Sequence, residues 1–132
     1  MQLGTRFVCA EECVAHPNFK QKLLEARDRS TVVTGYSTGH PVRCIENRLT
    51  RQFQALERGG ASVEELERLG QGKLELAAIQ GDTENGSVMA GQICGLIKEI
   101  KPAAVIIREI VDEAEAILLR LYQGLSSPVV RR

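Results

Sequence analysis

Hydrophobic positions change their spacing several times along this chain, and each change marks an element. Met1 to Phe7, MQLGTRF, reads as the end of a strand that turns at Gly4-Thr5 into a polar corner. VCAEECVAHPNFKQKLLEARD then leads from an apolar start into a helix, with Pro17 in its first turn and Phe19, Leu23, Leu24 and Ala26 along one face. The β-branched run Thr31 to Thr34, closed by Gly35 and Gly39, predicts a short strand followed by a loop.

From Val42 the apolar residues Ile45, Leu49, Phe53 and Leu56 recur at helical spacing until Gly59-Gly60 stops them. A helix fits 48 to 58, whereas PVRCIEN ahead of it suits extended chain as well. Ser62 and Glu65 supply an S-x-x-E capping box before Leu66 and Leu69, with Gly70 as the stop. KLELAAIQG, 73 to 81, reads as a further short helix. GDTENGS, 81 to 87, is a polar loop that hands over to VMAGQICGLIKEI, expected as a helix that its glycines weaken. Small residues at Ala90, Gly91 and Gly95 imply that something approaches closely there. Finally, AAVIIREIVDEAEAILLRLYQGL places apolar residues at 106, 107, 110, 111, 114, 117, 118 and 121, an amphipathic helix that Gly124 ends, with SSPVVRR as a frayed tail.

Composition narrows the picture. The 132 residues are 43% hydrophobic and 26% charged, the mixture of one globular domain. Seventeen basic and seventeen acidic residues balance, so no positive excess is available to a phosphate backbone. Aromatic residues make up only 4%, with no Trp to stack on bases, and nucleic acid is excluded as an expected partner. The longest purely apolar stretch, AAVII, is too short for a membrane span, and no leader is recognisable. Cys9, Cys13, Cys44 and Cys94 form no CxxC pair, and the CAEEC spacing fits one helical face as well as a metal. Free thiols in a reducing, cytoplasmic compartment are the expectation, with no metal site.

Two segments carry candidate chemistry. At Gly4-Thr5, glycine permits close approach of an anion, while backbone N-H groups and the Thr hydroxyl can donate to it. A plain strand-end turn explains the same pair equally well. In NGSVMAGQICG, a helix start bearing Ser87, Met89, Gly91 and Gln92 could meet a flat ring, with Met as adaptable packing and Gln as hydrogen-bonding group. Close packing through small residues is the alternative. His16 and His40 each precede a proline without a relay partner at motif spacing and read as turn or cap residues; the Arg/Glu-rich stretch 43 to 68 reads as a solvated helix face. No residue is singled out as catalytic.

Taken in order, QLGTRF, AHPNFKQKLLEA, TGHPVRCIENRLTRQF and GDTENGSVMAGQICG resemble the carboxy-terminal part of the nitronate monooxygenase family, formerly called 2-nitropropane dioxygenases. That family includes the FMN-dependent enoyl-acyl-carrier-protein reductase II. The resemblance implies a carboxy-terminal fragment of a TIM-barrel flavoenzyme, mainly α with one or two short β-strands. Residues 1–29 would be the last barrel strand and following helix, 30–100 a small helical extra domain, 101–125 the carboxy-terminal helix and 126–132 a tail. By the same resemblance Gln2, Leu3, Gly4 and Thr5 would hold the FMN phosphate, and Ser87, Met89, Ala90, Gly91 and Gln92 would lie beside the flavin and substrate pocket.

A full barrel takes about 250 residues, so the family's glycine-rich flavin segments and histidine base have no counterpart in this sequence. The expectation is a piece of an FMN oxidoreductase that works when joined to the missing amino-terminal barrel part or within a homo-oligomer. The alternatives are a non-catalytic helical binding or assembly module, and a truncated chain inactive alone. GSVMAGQI leans toward the reductase branch, which implies an acyl-thioester substrate with NADH as a possible electron donor; the monooxygenase branch implies a small-molecule nitronate.

Overall fold

A computed structural model describes residues 3–125 of the chain. Gln2 and the tail expectation for 126–132 therefore lie outside the described residues. The order of elements is α1 (Gly4–Val8), α2 (Pro17–Leu24), β1 (Thr31–Thr34), β2 (Val42–Ile45), α3 (Arg48–Arg58), α4 (Val63–Gly70), α5 (Lys73–Ala78), a 3-10 helix (Gln92–Leu96) and α6 (Ala103–Leu125). The chain is thus mainly α with two short strands.

Three helices, α2, α3 and α4, start where side chains satisfy the first orphan amides of a helix. His16 caps α2, its Nδ1 accepting from the Asn18 N-H at 3.1 Å, with Pro17 in the first turn. Ser62 caps α4 through the Glu65 N-H at 3.2 Å. The fully reciprocal capping box forms at α3 instead, where Asn47 Oδ1 accepts from the Thr50 N-H and Thr50 Oγ1 accepts from the Asn47 N-H. β1 and β2 pair antiparallel, with Thr31 opposite Ile45 and Thr34 opposite Val42. PVRCIEN is accordingly extended as far as Ile45.

Three expectations are corrected. Gly4–Val8 is a short helix, not a strand, and the Phe7 N-H donates to the Leu3 carbonyl at 3.3 Å. Among the described residues no strand lies beside this segment, and a helical turn satisfies its polar backbone groups locally. Ser87 to Gly91 is not the first turn of a helix either: it runs extended beside β2, with Met89 bridged to Cys44. The Ile45 N-H donates to the Val88 carbonyl at 2.8 Å and the Ala90 N-H to the Arg43 carbonyl at 3.1 Å. The free edge of β2 offers these glycine-flanked residues better partners than a weak helix would. α6 continues through Gly124 to Leu125, so that glycine does not end it.

One hydrophobic cluster joins Cys9, Phe19, Leu23 and Ala26 to Ile45, Ala77, Val88, Ala90, Cys94 and Ile97. The first four come from 1–29 and the rest from 30–100, so these two segments share a core. The close approach implied by the small residues is present. A side chain at Gly95 would come within 3.0 Å of the Arg27 carbonyl carbon, and one at Gly91 within 3.4 Å of Thr5 Oγ1.

Candidate functional site

The two segments singled out in the sequence meet in space. Thr5 Oγ1 accepts a hydrogen bond from the Gly91 N-H at 2.9 Å, across 86 residues of chain. This bond uses a lone pair of the hydroxyl and leaves its hydrogen free to donate to another acceptor. Gly4, next to it, is exposed, and a Cβ built there meets nothing within 4 Å. Arg6 anchors the same short helix by donating to the Glu99 carbonyl at 3.1 Å.

Beyond Gly91 the extended segment alternates its side chains as a strand does. Val88 and Ala90 turn into the core, at 0% and 5% exposure. Ser87 and Met89 turn the other way, into a cavity of about 180 Å³. That cavity is closed by Val42, Leu49, Phe53 and Leu66, with Thr38, His40 and Thr50 supplying polar groups at its wall. Gln92 is exposed at the start of the 3-10 helix. Of the sequence-derived residues, Ser87 and Met89 share the cavity and Thr5 touches Gly91, whereas Ala90 belongs to the core.

Two anchors hold the cavity in shape. Buried Asn47 donates through Nδ2 to the Thr83 carbonyl at 2.7 Å and to the Gly86 carbonyl at 2.8 Å, which fixes the loop that delivers Ser87. Glu57 on α3 accepts from the Gly35 N-H at 3.1 Å, the Ser37 N-H at 3.2 Å and Ser37 Oγ at 2.8 Å. Partial burial raises the Glu57 pKa, but these bonds outweigh it and leave the carboxyl below its ordinary value. Sequence reading missed both roles because the partners lie far along the chain. Asn47 carried a cap signal, but nothing in the sequence marks its second set of bonds.

Among the described residues no hydrogen-bonded acid-base relay lines the cavity. Burial raises the thiol pKa of Cys44, with the Ser87 hydroxyl 3.8 Å from its sulfur acting in the opposite sense, so the group stays a neutral thiol at ordinary pH. Cys9 and Cys94 are raised by burial as well. His16 is occupied as a helix cap, and His40 sits in the turn that Thr38 closes, where it also reaches the cavity wall. Among the described residues no cluster of His, Cys, Asp or Glu could hold a metal ion, and no helix is long and apolar enough to cross a membrane. Among the described residues the cavity is lined by apolar side chains with Thr38, His40, Thr50, Glu67 and Ser87 as its polar groups.

The described residues belong to the mainly helical class, with an extended segment that lines a small apolar cavity. Comparison with known proteins gives that class a family. Residues 1–113 match the family model described as nitronate monooxygenase, and the chain belongs to that family. It is 31% identical over 101 residues to a "Probable nitronate monooxygenase" of Bacillus subtilis, covering 76% of this chain and 29% of that protein. It is 26% identical over 120 residues to a protein of the same name from Staphylococcus saprophyticus, covering 91% of this chain and 34% of that one. Among solved structures, FabK from Thermotoga maritima superposes with a TM-score of 0.85 at 39% identity, over 91% of this chain and 38% of FabK. FabK is a TIM-barrel enzyme. The chain therefore spans about a third of the length of the relatives it matches.

Proposed function

We propose that this chain is the carboxy-terminal portion of an FMN-dependent oxidoreductase of the nitronate monooxygenase and enoyl-acyl-carrier-protein reductase II type. In this reading it holds the FMN phosphate and closes the pocket in which substrate meets flavin. FMN supplies the hydride or electron transfer when bound, and this chain's residues position it. Gln2, Leu3, Gly4 and Thr5 are assigned to the phosphate: the open side of Gly4 admits an anion, and the Thr5 hydroxyl retains a hydrogen to donate. Ser87, Met89, Gly91 and Gln92 are assigned to the flavin and substrate side, with Ala90 packing behind them.

The observation that carries this reading is the Thr5 to Gly91 hydrogen bond, since it joins the phosphate segment to the pocket segment. A cavity of about 180 Å³ is smaller than whole-ligand pockets of roughly 300–1,000 Å³. It therefore suits a short apolar part of a substrate, an acyl chain or a nitroalkane, whose reacting end remains at the mouth. The sequence GSVMAGQI and the likeness to FabK favour enoyl reduction with NADH over nitronate oxidation.

The test is a titration with FMN, followed by flavin fluorescence, of this chain joined to the amino-terminal barrel part of a relative. Saturable quenching is expected. Gly4→Leu should weaken it at least about tenfold, a loss of about 1.4 kcal/mol, with little change in melting temperature, because Gly4 is exposed and a Cβ built there meets nothing within 4 Å. An affinity unchanged by Gly4→Leu would show that the phosphate does not sit at this corner.

A further inference from the structure

The walls of the cavity are not held alike. α3 and α4 contribute Leu49, Thr50 and Leu66, all buried, and the segment that brings Ser87 is fixed by the Asn47 bond to the Gly86 carbonyl and by the pairing of Ile45 with Val88. The remaining wall is the loop between β1 and β2, which contributes Gly35, Thr38 and His40. That loop leaves the sheet beyond the Thr34 to Val42 pair, and Tyr36 near its tip is 71% exposed.

The loop is bonded chiefly to itself. Thr38 Oγ1 donates to the Gly35 carbonyl at 2.9 Å and accepts from the His40 N-H at 3.3 Å, while the Gly39 N-H donates to the Tyr36 carbonyl at 3.3 Å. Gly35 closes its base at a φ of +84°, where a side chain would come within 2.7 Å of the His40 carbonyl oxygen. Among the described residues, the hydrogen bonds from 35–40 to the chain outside the hairpin end on one group, the Glu57 carboxylate, which accepts from the Gly35 N-H, the Ser37 N-H and Ser37 Oγ. Phe53 and Glu57 lie one helical turn apart on α3, so the face that lines the cavity also carries this attachment.

We propose that loop 35–40 is a lid on the cavity and that Glu57 is its latch: with the carboxylate bonded the wall is closed, and with it released the loop swings from the end of the hairpin and opens the cavity to an apolar ligand. The self-bonded loop moves as one body, and a single side chain decides its position. Glu57 is thus a positioning residue that acts through the loop. The device is independent of the flavin reading, because it rests on the cavity and the hairpin alone.

Nuclear magnetic resonance on the full chain tests it. Met1 and Met89 are the two methionines, so methyl labelling gives Met89, on the cavity wall, its own signal. A neutral nitroxide dissolved with the protein reads how far solvent reaches that methyl. Glu57→Ala should raise the nitroxide effect on Met89 at least about twofold. It should also speed hydrogen exchange of the Gly35 and Ser37 amides at least about tenfold, with the Ile45 and Ala90 amides of the adjoining sheet edge unchanged. Glu57→Gln, which keeps an acceptor oxygen, should fall between the parent and the alanine variant. Ser37→Ala removes the 2.8 Å bond from the lid side and should shift both readouts in the same direction by less. Arg58→Ala, beside the latch on the exposed side of α3, should change neither.

A Met89 signal no more accessible in Glu57→Ala and Ser37→Ala than in the parent overturns the proposal. Equal acceleration at Ile45 and Ala90 would do the same, since Glu57 would then hold the fold as a whole, and so would an Arg58→Ala variant that opens the cavity as far as Glu57→Ala.

Discussion

Replacing Asn47 by alanine should loosen the whole region around the cavity. The side chain is 1% exposed and makes three bonds: one that caps α3 and two that hold the carbonyls of Thr83 and Gly86. Loss of an N-cap costs about 1 kcal/mol. A buried carbonyl left without its donor costs about 1–3 kcal/mol, with the half-buried Thr83 end at the lower limit. Together these give about 3–5 kcal/mol.

With an unfolding entropy of about 2.1 cal/mol/K per residue, a chain of this length loses about 3–4 °C of melting temperature per kcal/mol. Asn47→Ala should therefore melt about 11–18 °C lower by circular dichroism. Asn47→Asp separates the contributions, because aspartate still caps a helix but has no N-H to give. It should melt closer to the alanine variant than to the parent, its carboxylate facing two carbonyl oxygens. A fall of less than about 3 °C for Asn47→Ala, or an aspartate variant as stable as the parent, would show that the two carbonyl bonds contribute little.

Three further expectations follow from the same geometry. A methyl group at Gly86 would come within 2.6 Å of both the Ala77 nitrogen and the Asp82 oxygen; Gly86→Ala should lose about 2–4 kcal/mol by urea unfolding, more than Gly95→Ala, and equal losses would contradict this ranking. Glu57 has a folded pKa below its unfolded value near 4.5, so its bonds contribute stability that is complete above that value and lost as pH falls through the folded one. The stability difference between the parent and Glu57→Gln should shrink between about pH 5 and pH 3; a difference constant with pH would refute the assignment. Removing the Glu12 carboxylate with Glu12→Ala should free the first amides of α6, seen as faster hydrogen exchange at Ala103, and unchanged exchange would place the anchor elsewhere.

Local sequence determined much of this protein. Pro17 behind His16, the β-branched run at Thr31 to Thr34, the apolar spacing of 48 to 58 and Ser62 ahead of Glu65 each carry their own start or stop chemistry. These elements need no distant partner to be recognised. The family was legible too, because its motifs are short stretches in a fixed order.

Tertiary structure decided the rest, for one physical reason: an extended backbone is stable only beside a partner, and the partner is not written next to it. Met1 to Phe7 had the look of a strand, yet over Gly4–Val8 the backbone satisfies itself locally as helix. Ser87 to Gly91 had the look of a helix start, yet the open edge of β2 drew it out straight. That choice of β2 over helix turned Ser87 and Met89 to the cavity and Ala90 to the core. It also brought the Gly91 N-H to Thr5, making one candidate site of two segments 86 residues apart.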